Sequence, residues 1–416
     1  MPSSVSSRLA KVAYVLLAIT FLFFAVDSIR KTLPPSKVVI ETGPVGGSYH
    51  DNALRYAKKL EAAGFKTEIR ANPQSLETID RIQSGKPHVD IGFTILPLDR
   101  SKYTNTVSVG VVELQPLFVF FNAEKGRITN INQLLGKRLV MPPEKSVTAQ
   151  TSRSTLALYG ITPDNTTFTY LPIGEAASQL KNGQHDVGFF MLGASNRIIK
   201  ELAESKHLSL LSLTQVEGIS RQLDYLNPAV LPLGAYDLKR EIPATDINML
   251  GGNVNVMVRE DINPALLYNL LEVMRETHQG ETLVSDVAEF PAIVGTALDA
   301  HPLAIQWHKT GTPWVFKKFG PTFASLLDKY WLLAVVMAVV AQAYNTFYDL
   351  YRLIHFGSSS IALGILLRLQ KRLRQGKTLG AISKGFYRAA ENMTTESKSQ
   401  NEKAQALLEQ LKTKIT

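Results

Sequence analysis

The sequence predicts an α/β protein of two equivalent lobes, flanked by two transmembrane helices. Three observations lead there: strand-like and helix-like segments alternate from Lys37 onward, a short pattern recurs ending at Phe93 and again at Phe190, and an apolar run stands at either end.

The alternation begins with "KVVIETG", a strand that runs into a glycine turn, followed by "SYHDNALRYAKKLEAAG", a helix with Ser48 at its cap position and Gly64 at its close. "FKTEIRA", "SLETIDRIQSG" and "HVDIGFT" continue as strand, helix and strand. A second series follows in "GKRLVMPPEKSVTAQTSRSTLALYG" (Ser146 or Thr148 as cap), "TFTYLP", "GEAASQLKNG" and "HDVGFFML". Strand, turn and helix in short succession place every turn at the C-terminal edge of a mostly parallel sheet, where such sheets bind ligands. The echo is "IQSGKPHVDIGF" against "LKNGQHDVGFF": a helix ends at glycine, a polar turn follows, and Asp, an aliphatic, Gly and Phe open a buried strand. Two equivalent halves therefore face each other across a cleft, with "LQPLFVFFNAEKG" crossing between them and "GGNVNVMVRE" among the segments that return to the first. Lobe one is predicted at about 37–117 and 215–325, lobe two at about 118–214, within a binding domain of 37–325.

The first apolar run, "VAYVLLAITFLFFAV", follows Arg8 and Lys11 and ends at Asp27. A basic start and an uncharged run mark a signal sequence or anchor, and "DSIRKTLPPSK" has no small-x-small cleavage pattern, so a retained anchor at 12–29 behind a cytoplasmic 1–11 is expected. The second run, 330–351, opens with Tyr330 and Trp331 and closes among Tyr344, Phe347, Tyr348 and Tyr351, as interfacial aromatics do. Basic residues keep to the cytoplasmic side, which predicts both termini inside and the binding domain outside, at a bacterial inner membrane with its lobes in the periplasm. In the tail, 352–416, Ala362, Ile365, Leu366, Leu369 and Leu373 share a helical face while Arg368, Lys371, Arg372 and Arg374 fall largely off it. That pattern predicts a helix lying on anionic lipid.

Of the net charge of +9, residues 1–31 carry four cations against one anion and 352–416 carry twelve against four, so the long middle is slightly negative. A basic groove for nucleic acid needs its charge on the folded part, and none is expected. The absence of cysteine removes thiolate metal sites, cysteine nucleophiles and disulfides. No P-loop, GxGxxG, HExxH or GxSxG pattern is present, which speaks against an enzyme or a bound cofactor.

The chain resembles the TAXI group of periplasmic solute-binding receptors, which work with tripartite TRAP transporters. The resemblance rests on "ETGPVGGSYHDNALRYAKKLEAAG", "NPQSLETIDRIQSGKPHVDIGF", "QPLFVFFNAEKGRITNINQLLGKRLVMPPEKSVTAQTSRSTLALYGI", "EAASQLKNGQHDVGFFMLGA" and "AHPLAIQWHKTG", in that order over roughly 37–311. Its second-lobe loop reads "PEKSVTAQT" where the group has a glycine-containing "GSGT"-like loop, and "AHPLA" stands where His-Pro-Gly is usual. The resemblance implies a two-lobed periplasmic-binding-protein type II fold that binds without catalysis, with TRAP-type permease subunits as partners.

On this reading the turn "GPVGGSYHDNA" holds a carboxylate through Gly46, Gly47, Ser48 and Tyr49, using free backbone N–H groups, a hydroxyl and the helix dipole. Gln74 and Ser75 from the second helix face Ser146 and Thr148 from the other lobe. Arg153, one turn into its helix, is placed to pair with a ligand carboxylate, and Gly174, Glu175 and Gly193 lie at further turns. The ligand is expected to be a small organic anion or an amino acid. A rival reading makes the chain a tethered sensor, passing cleft occupancy to a membrane or cytoplasmic partner through the second helix and tail; an enzyme on the same fold is a third.

Overall fold

The computed structural model describes residues 3–376, 381–396 and 402–415. They form two compact units, divided between Lys329 and Tyr330. The first contains α1 (Ser3–Thr32), β1 (Lys37–Thr42), α2 (Ser48–Ala62), β2 (Lys66–Ala71), α3 (Ser75–Ser84), β3 (Gly92–Thr94) and the long β4 (Thr106–Asn122). It continues with β5 (Arg138–Met141), α4 (Val147–Ala157), β6 (Thr167–Tyr170), α5 (Ile173–Lys181), β7 (Val187–Met191), α6 (Arg197–Ala203) and β8 (Leu208–Leu210). It closes with α7 (Val216–Gln222), β9 (Leu226–Leu231), β10 (Ile247–Arg259), α8 (Pro264–His278), α9 (Pro302–Thr310), α10 (Trp314–Lys318) and the start of α11 (Pro321–Arg374).

Two lobes share one strand order. In the first, β2 and β1 run parallel, a parallel bridge from Ile40 to Ile91 joins β1 to the start of β3, and β10 lies antiparallel between β3 and the first half of β4. In the second, β5 runs parallel to β6 and β7, and the last residues of β4 lie antiparallel between β7 and β8. The orders are β2-β1-β3-β10-β4 and β6-β5-β7-β4-β8, the arrangement of the type II periplasmic-binding-protein fold. Helices connect the parallel strands, as parallel pairing requires.

The recurring Asp-aliphatic-Gly-Phe pattern has a mechanical role in each lobe. Asp90 accepts the Val39 N–H at 2.8 Å and so ties β3 to β1; Asp186 accepts the Arg138 N–H at 2.9 Å and ties β7 to β5. The glycine two residues on lets a helix lie directly on the sheet. A Cβ on Gly92 would sit 2.7 Å from Thr78 Cγ2 and 2.8 Å from Ile82 Cδ1 of α3, and one on Gly188 would sit 2.5 Å from Leu180 Cδ2 of α5. The two carboxyls differ in surroundings. Burial raises the Asp90 pKa, whereas Arg138 and Lys125 hold Asp186 far below the usual carboxylate range.

Two local details depart from the sequence reading. Ser48 does not cap α2: Gly47 occupies the cap position and makes no side-chain bond, which frees the Ser48 hydroxyl for another partner. In the second lobe Ser146 is the cap of α4, accepting the Ala149 N–H at 3.2 Å. Parts of β9 and of the start of β10 also pack with lobe two rather than lobe one, because Leu231, Ile247 and Met249 are buried with Phe118, Phe120 and Phe190, while Leu226 and Leu250 belong to the main core. The physical reason is the pairing of β9 with Ile247–Gly252, which carries both strands to the second-lobe side.

Among the described residues one helix, Pro321–Tyr348 within α11, is long and apolar enough to cross a membrane. The predicted span at 12–29 lies in α1, and the side chains of residues 12–15 and 18 are outside the described set, so the described residues carry one candidate span rather than two. The second unit holds the rest of α11 together with α12 (Ala381–Glu396) and α13 (Glu402–Ile415). The tail stripe expected to lie on anionic lipid is instead used for packing: Ala362, Leu366 and Leu369 are buried against Tyr387, Ala390, Ala404 and Leu411, with Ile365 and Leu373 packed at the margin. An amphipathic face reads the same whether helices or lipid cover it, and here α12 and α13 cover it.

Gly188→Ala is expected to lower the stability of the full chain by about 1–3 kcal/mol, the usual cost of overpacking, in denaturant unfolding followed by circular dichroism. A loss below a few tenths would show that α5 does not press on β7. Asp186→Asn is expected to cost about 1–3 kcal/mol at neutral pH by leaving charged and backbone donors short of an acceptor. Because the folded-state pKa of Asp186 is depressed, its contribution is present above its unfolded value of about 4 and is lost as pH falls below it, so the deficit of the Asn variant should narrow in that window.

Candidate functional site

Five turns converge at the C-terminal edges of the two sheets. Gly43, Pro44, Gly47, Ser48 and Tyr49 follow β1, and Pro73 and Ser75 follow β2. Pro142, Ser146, Val147 and Thr148 follow β5, Ile173 follows β6, and Leu192 follows β7. With Met191 and with Gln115 from β4 they enclose a cavity of about 40 Å³ between the lobes. Helices α2, α3, α4 and α5 all begin on its wall. The first amides of such helices have no carbonyl a turn back to bond, and their dipoles place partial positive charge at the cavity.

Among the described residues, no Asp, Glu, Lys, Arg or His lines this cavity. Its polar atoms are hydroxyls, the Gln115 carboxamide and backbone amides, set among Pro, Val, Ile, Met and Leu. Ser75 donates to Thr94 Oγ1 at 3.1 Å, and Thr148 Oγ1 accepts the Met191 N–H at 3.2 Å, so both hydroxyls are held in place. Tyr49 is 8% exposed and stacks on Phe93 with centroids 5.6 Å apart, and its phenol oxygen is buried without a hydrogen-bond partner. Burial, with a smaller push from Glu113, raises its pKa well above the ordinary phenol value.

Glu113 stands two residues before Gln115 on β4 and accepts a short hydrogen bond from its Nε2. Burial raises the Glu113 pKa against the opposing pull of Gln115 and Asn52. The pair fixes which end of the Gln115 amide is engaged behind the cavity.

The loops after β1 and β7 meet directly. Ser48 Oγ accepts the Gly193 N–H at 2.7 Å, and Asn196 Nδ2 donates to Gly46 O and to Asp51 Oδ2, each at 3.3 Å. Asn196 also caps α6 by accepting the Ile198 N–H at 2.9 Å, so the same side chain starts a helix in one lobe and grips the other.

Of the residues singled out in the sequence, Gly47, Ser48, Tyr49, Ser75, Ser146 and Thr148 line the cavity, and Gly46 and Gly193 form the contact between lobes beside it. Gln74 and Arg153 do not reach it. Both lie on a wider groove of about 710 Å³ between α3 and α4, where Arg153 pairs with Glu144 at 3.2 Å. The buried stripe of α4 is Thr148, Thr151, Ser152 and Thr155, at helical spacing, which turns Arg153 outward. Gly174 and Glu175 are also away from the cavity: Glu175 is exposed and accepts from Gln179 at 3.0 Å, one turn along its own helix.

The sequence reading missed Glu113 and Gln115, along with the apolar wall. A signal for the pair exists, since two polar residues at alternate positions interrupt an otherwise apolar strand, "GVVELQPLFVFF". Among the described residues no cluster of His, Asp or Glu is placed to hold a metal ion.

Solved structures with a similar fold include the substrate-binding protein of an amino acid ABC transporter, 18% identical, covering 58% of this chain and 93% of its own at a TM-score of 0.37. The amino acid ABC transporter substrate-binding protein AbpA from Streptococcus pneumoniae, bound to L-arginine, is 14% identical over 60% of this chain and 91% of its own, at 0.37. A full-length variant of BenM is 14% identical over 68% of this chain and 81% of its own, at 0.43. The model of the NMT1-like family matches residues 40–309, nearly the whole two-lobed region, and the chain belongs to that family.

Proposed function

We propose that this chain is a membrane-tethered receptor whose cleft captures a small organic anion and presents it to a membrane partner, in the manner of the TAXI group and its TRAP-type permeases. One observation carries the reading: helices from both lobes begin at a shared cavity whose wall has no ionised side chain. Anion binding then falls to backbone amides, the Ser48, Ser146 and Thr148 hydroxyls and the helix dipoles. The same wall offers no carboxylate for an ammonium group, so an organic acid without an amine suits it better than an amino acid. Nor does it hold an acid–base pair or an activated nucleophile, which favours binding over turnover. Because the walls come from two lobes, a ligand that touches both shifts the population toward closure.

In this reading α1 and α11 hold the lobes on the periplasmic side of a bacterial inner membrane with both termini in the cytoplasm. A second reading, the tethered sensor, has its own support: α11 runs unbroken for 54 residues into a packed cluster with α12 and α13. A folded unit at the end of a continuous helix suits a partner that reads cleft occupancy.

Thermal unfolding of the full chain in detergent, against a panel of monocarboxylates, dicarboxylates and amino acids, is the test. A ligand at a hundred times its dissociation constant stabilises by about 2.7 kcal/mol. An organic acid should raise the midpoint more than the amino acid of the same carbon skeleton, and Ser48→Ala should weaken its binding about ten-fold or more by removing a hydrogen bond to a charged group. Equal stabilisation by both ligand classes removes the selectivity claim; no response from any anion removes solute capture and leaves the sensor.

A further inference from the structure

A polar hollow near the membrane end of lobe one is used by neither the cleft nor the tail. It measures about 680 Å³ and lies where the end of α1, the turn before β3, the end of β10, the start of α8, α10 and the first residues of α11 come together. Asn263 builds its floor: its Oδ1 caps α8 by accepting the Ala265 N–H at 3.0 Å, and its Nδ2 donates to Thr32 O at 2.9 Å, joining the end of α1 to the lobe.

Two independent features point to a ligand. The first is Ser325, on the wall of the hollow, 4% exposed with its hydroxyl buried and without a hydrogen-bond partner. A buried hydroxyl in that condition is unfavourable unless a ligand or water engages it. The second is the aromatic surface beside it. Phe316 of α10 forms part of the wall, and the flanking Trp314 and Phe323 are 62% and 54% exposed, linked through Phe319 in a chain of ring contacts at 6.2 Å and 4.9 Å. Exposed aromatics next to a membrane-length helix belong in the headgroup zone, where one end of the ring is apolar and the other wet.

The charges on the wall alternate. Lys31, Arg259 and Lys329 stand among Asp90, Asp261 and Asp328. Arg259 is held by Asp261 at 2.8 Å and 3.0 Å, and Lys31 by Asp27 at 2.7 Å, so the hollow is lined by ion pairs of both signs rather than by a single sign. A strongly anionic ligand gains little from such a wall. A group that carries a phosphate and an amine together meets the cations and the start of α8 with one end and the aspartates with the other.

We propose that this hollow receives the headgroup of a zwitterionic, amine-bearing phospholipid, whose phosphate accepts from Ser325 and Lys329 and whose acyl chains leave along the exposed aromatics of α10 and early α11. The proposal rests on the tethered reading, because the hollow meets lipid only if α11 enters a membrane near Pro321. A bound headgroup would then fix lobe one against the bilayer and leave lobe two to move.

The experiment uses the full chain in detergent, titrated with didecanoyl phosphatidylethanolamine and followed by native mass spectrometry. One lipid should be retained, and Ser325→Ala combined with Lys329→Gln should weaken its retention about ten-fold. Arg153→Gln, in the other lobe, should leave it unchanged. Four results would each overturn the site: didecanoylglycerol, which lacks the phosphate, binds equally; phosphatidylglycerol of the same chain length binds as well or better; water-soluble phosphoethanolamine matches the lipid; or the double variant binds like the parent. Flotation of the full chain with liposomes separates the two levels: a chain that does not float loses the tether itself, and one that floats while the headgroup makes no difference loses only this site.

Discussion

Everything in the binding unit depends on two strands that belong to both lobes. β4 supplies the last strand of one sheet with its first half and the antiparallel strand of the other with its second half, while β10 starts beside β9 on one side and ends between β3 and β4 on the other. Neither sheet is complete without them, so the lobes cannot separate, and any relative motion must be absorbed where these strands cross. The crossing is built for close contact. A Cβ on Gly252 would sit 2.1 Å from Ile95 Cγ2 of lobe one and 2.8 Å from Met191 Cε of lobe two, and the β10–β4 register shifts just beyond it, between Val254 and Asn255. Glu113 and Gln115 lie at the same level of β4, so the polar pair behind the cavity sits on the part of the chain that would bend.

The electrostatics divide between depth and rim. At the cavity, charge is supplied by helix starts and hydroxyls, which cost no ion desolvation when the lobes come together. On the outer groove, Lys145 and Arg153 of lobe two face Glu77 and Asp80 of lobe one, where solvent still screens them. Three of these rim charges are already engaged within their own lobes, Arg153 with Glu144, Glu77 with Arg81 and Asp80 with Lys102, so the proposed selectivity rests on the uncharged wall inside. Ser48 stands where cavity and lobe contact meet, since its hydroxyl lines the cavity and also accepts the Gly193 amide from the other lobe.

Much of this was legible in the sequence because it rests on short-range patterning. The strand-turn-helix alternation and the echo ending at Phe93 and Phe190 expose the doubled lobe, and the structure gives the echo its cause in an Asp that bonds a neighbouring strand and a Gly that admits a helix. The glycine turn drew attention to Ser48, yet local capping rules gave it the wrong partner, since its partner is 145 residues away in the other lobe. Arg153 misled for a related reason: its distance from the helix start was readable, but the side of α4 that is buried is set by packing against β7. The tail shows the same limit, because an apolar stripe declares that something covers it and not what. Glu113 and Gln115 were overlooked in a strand read for its apolar residues, although their alternate spacing already placed them on one face.

The central claim is that the two lobes hinge about β4 and β10 and close on an anion. Its most direct measurement is the distance between spin labels placed at Lys58→Cys on α2 and Lys181→Cys on α5, in the full chain, by pulsed electron resonance. The chain has no native cysteine, so both labels are unique. The account predicts a broad or double distance distribution that collapses to one narrower population when the organic acid that raises the melting midpoint is added. A single distance that stays fixed through that titration would contradict it, and would make the lobes a rigid body whose shared strands serve only to join them.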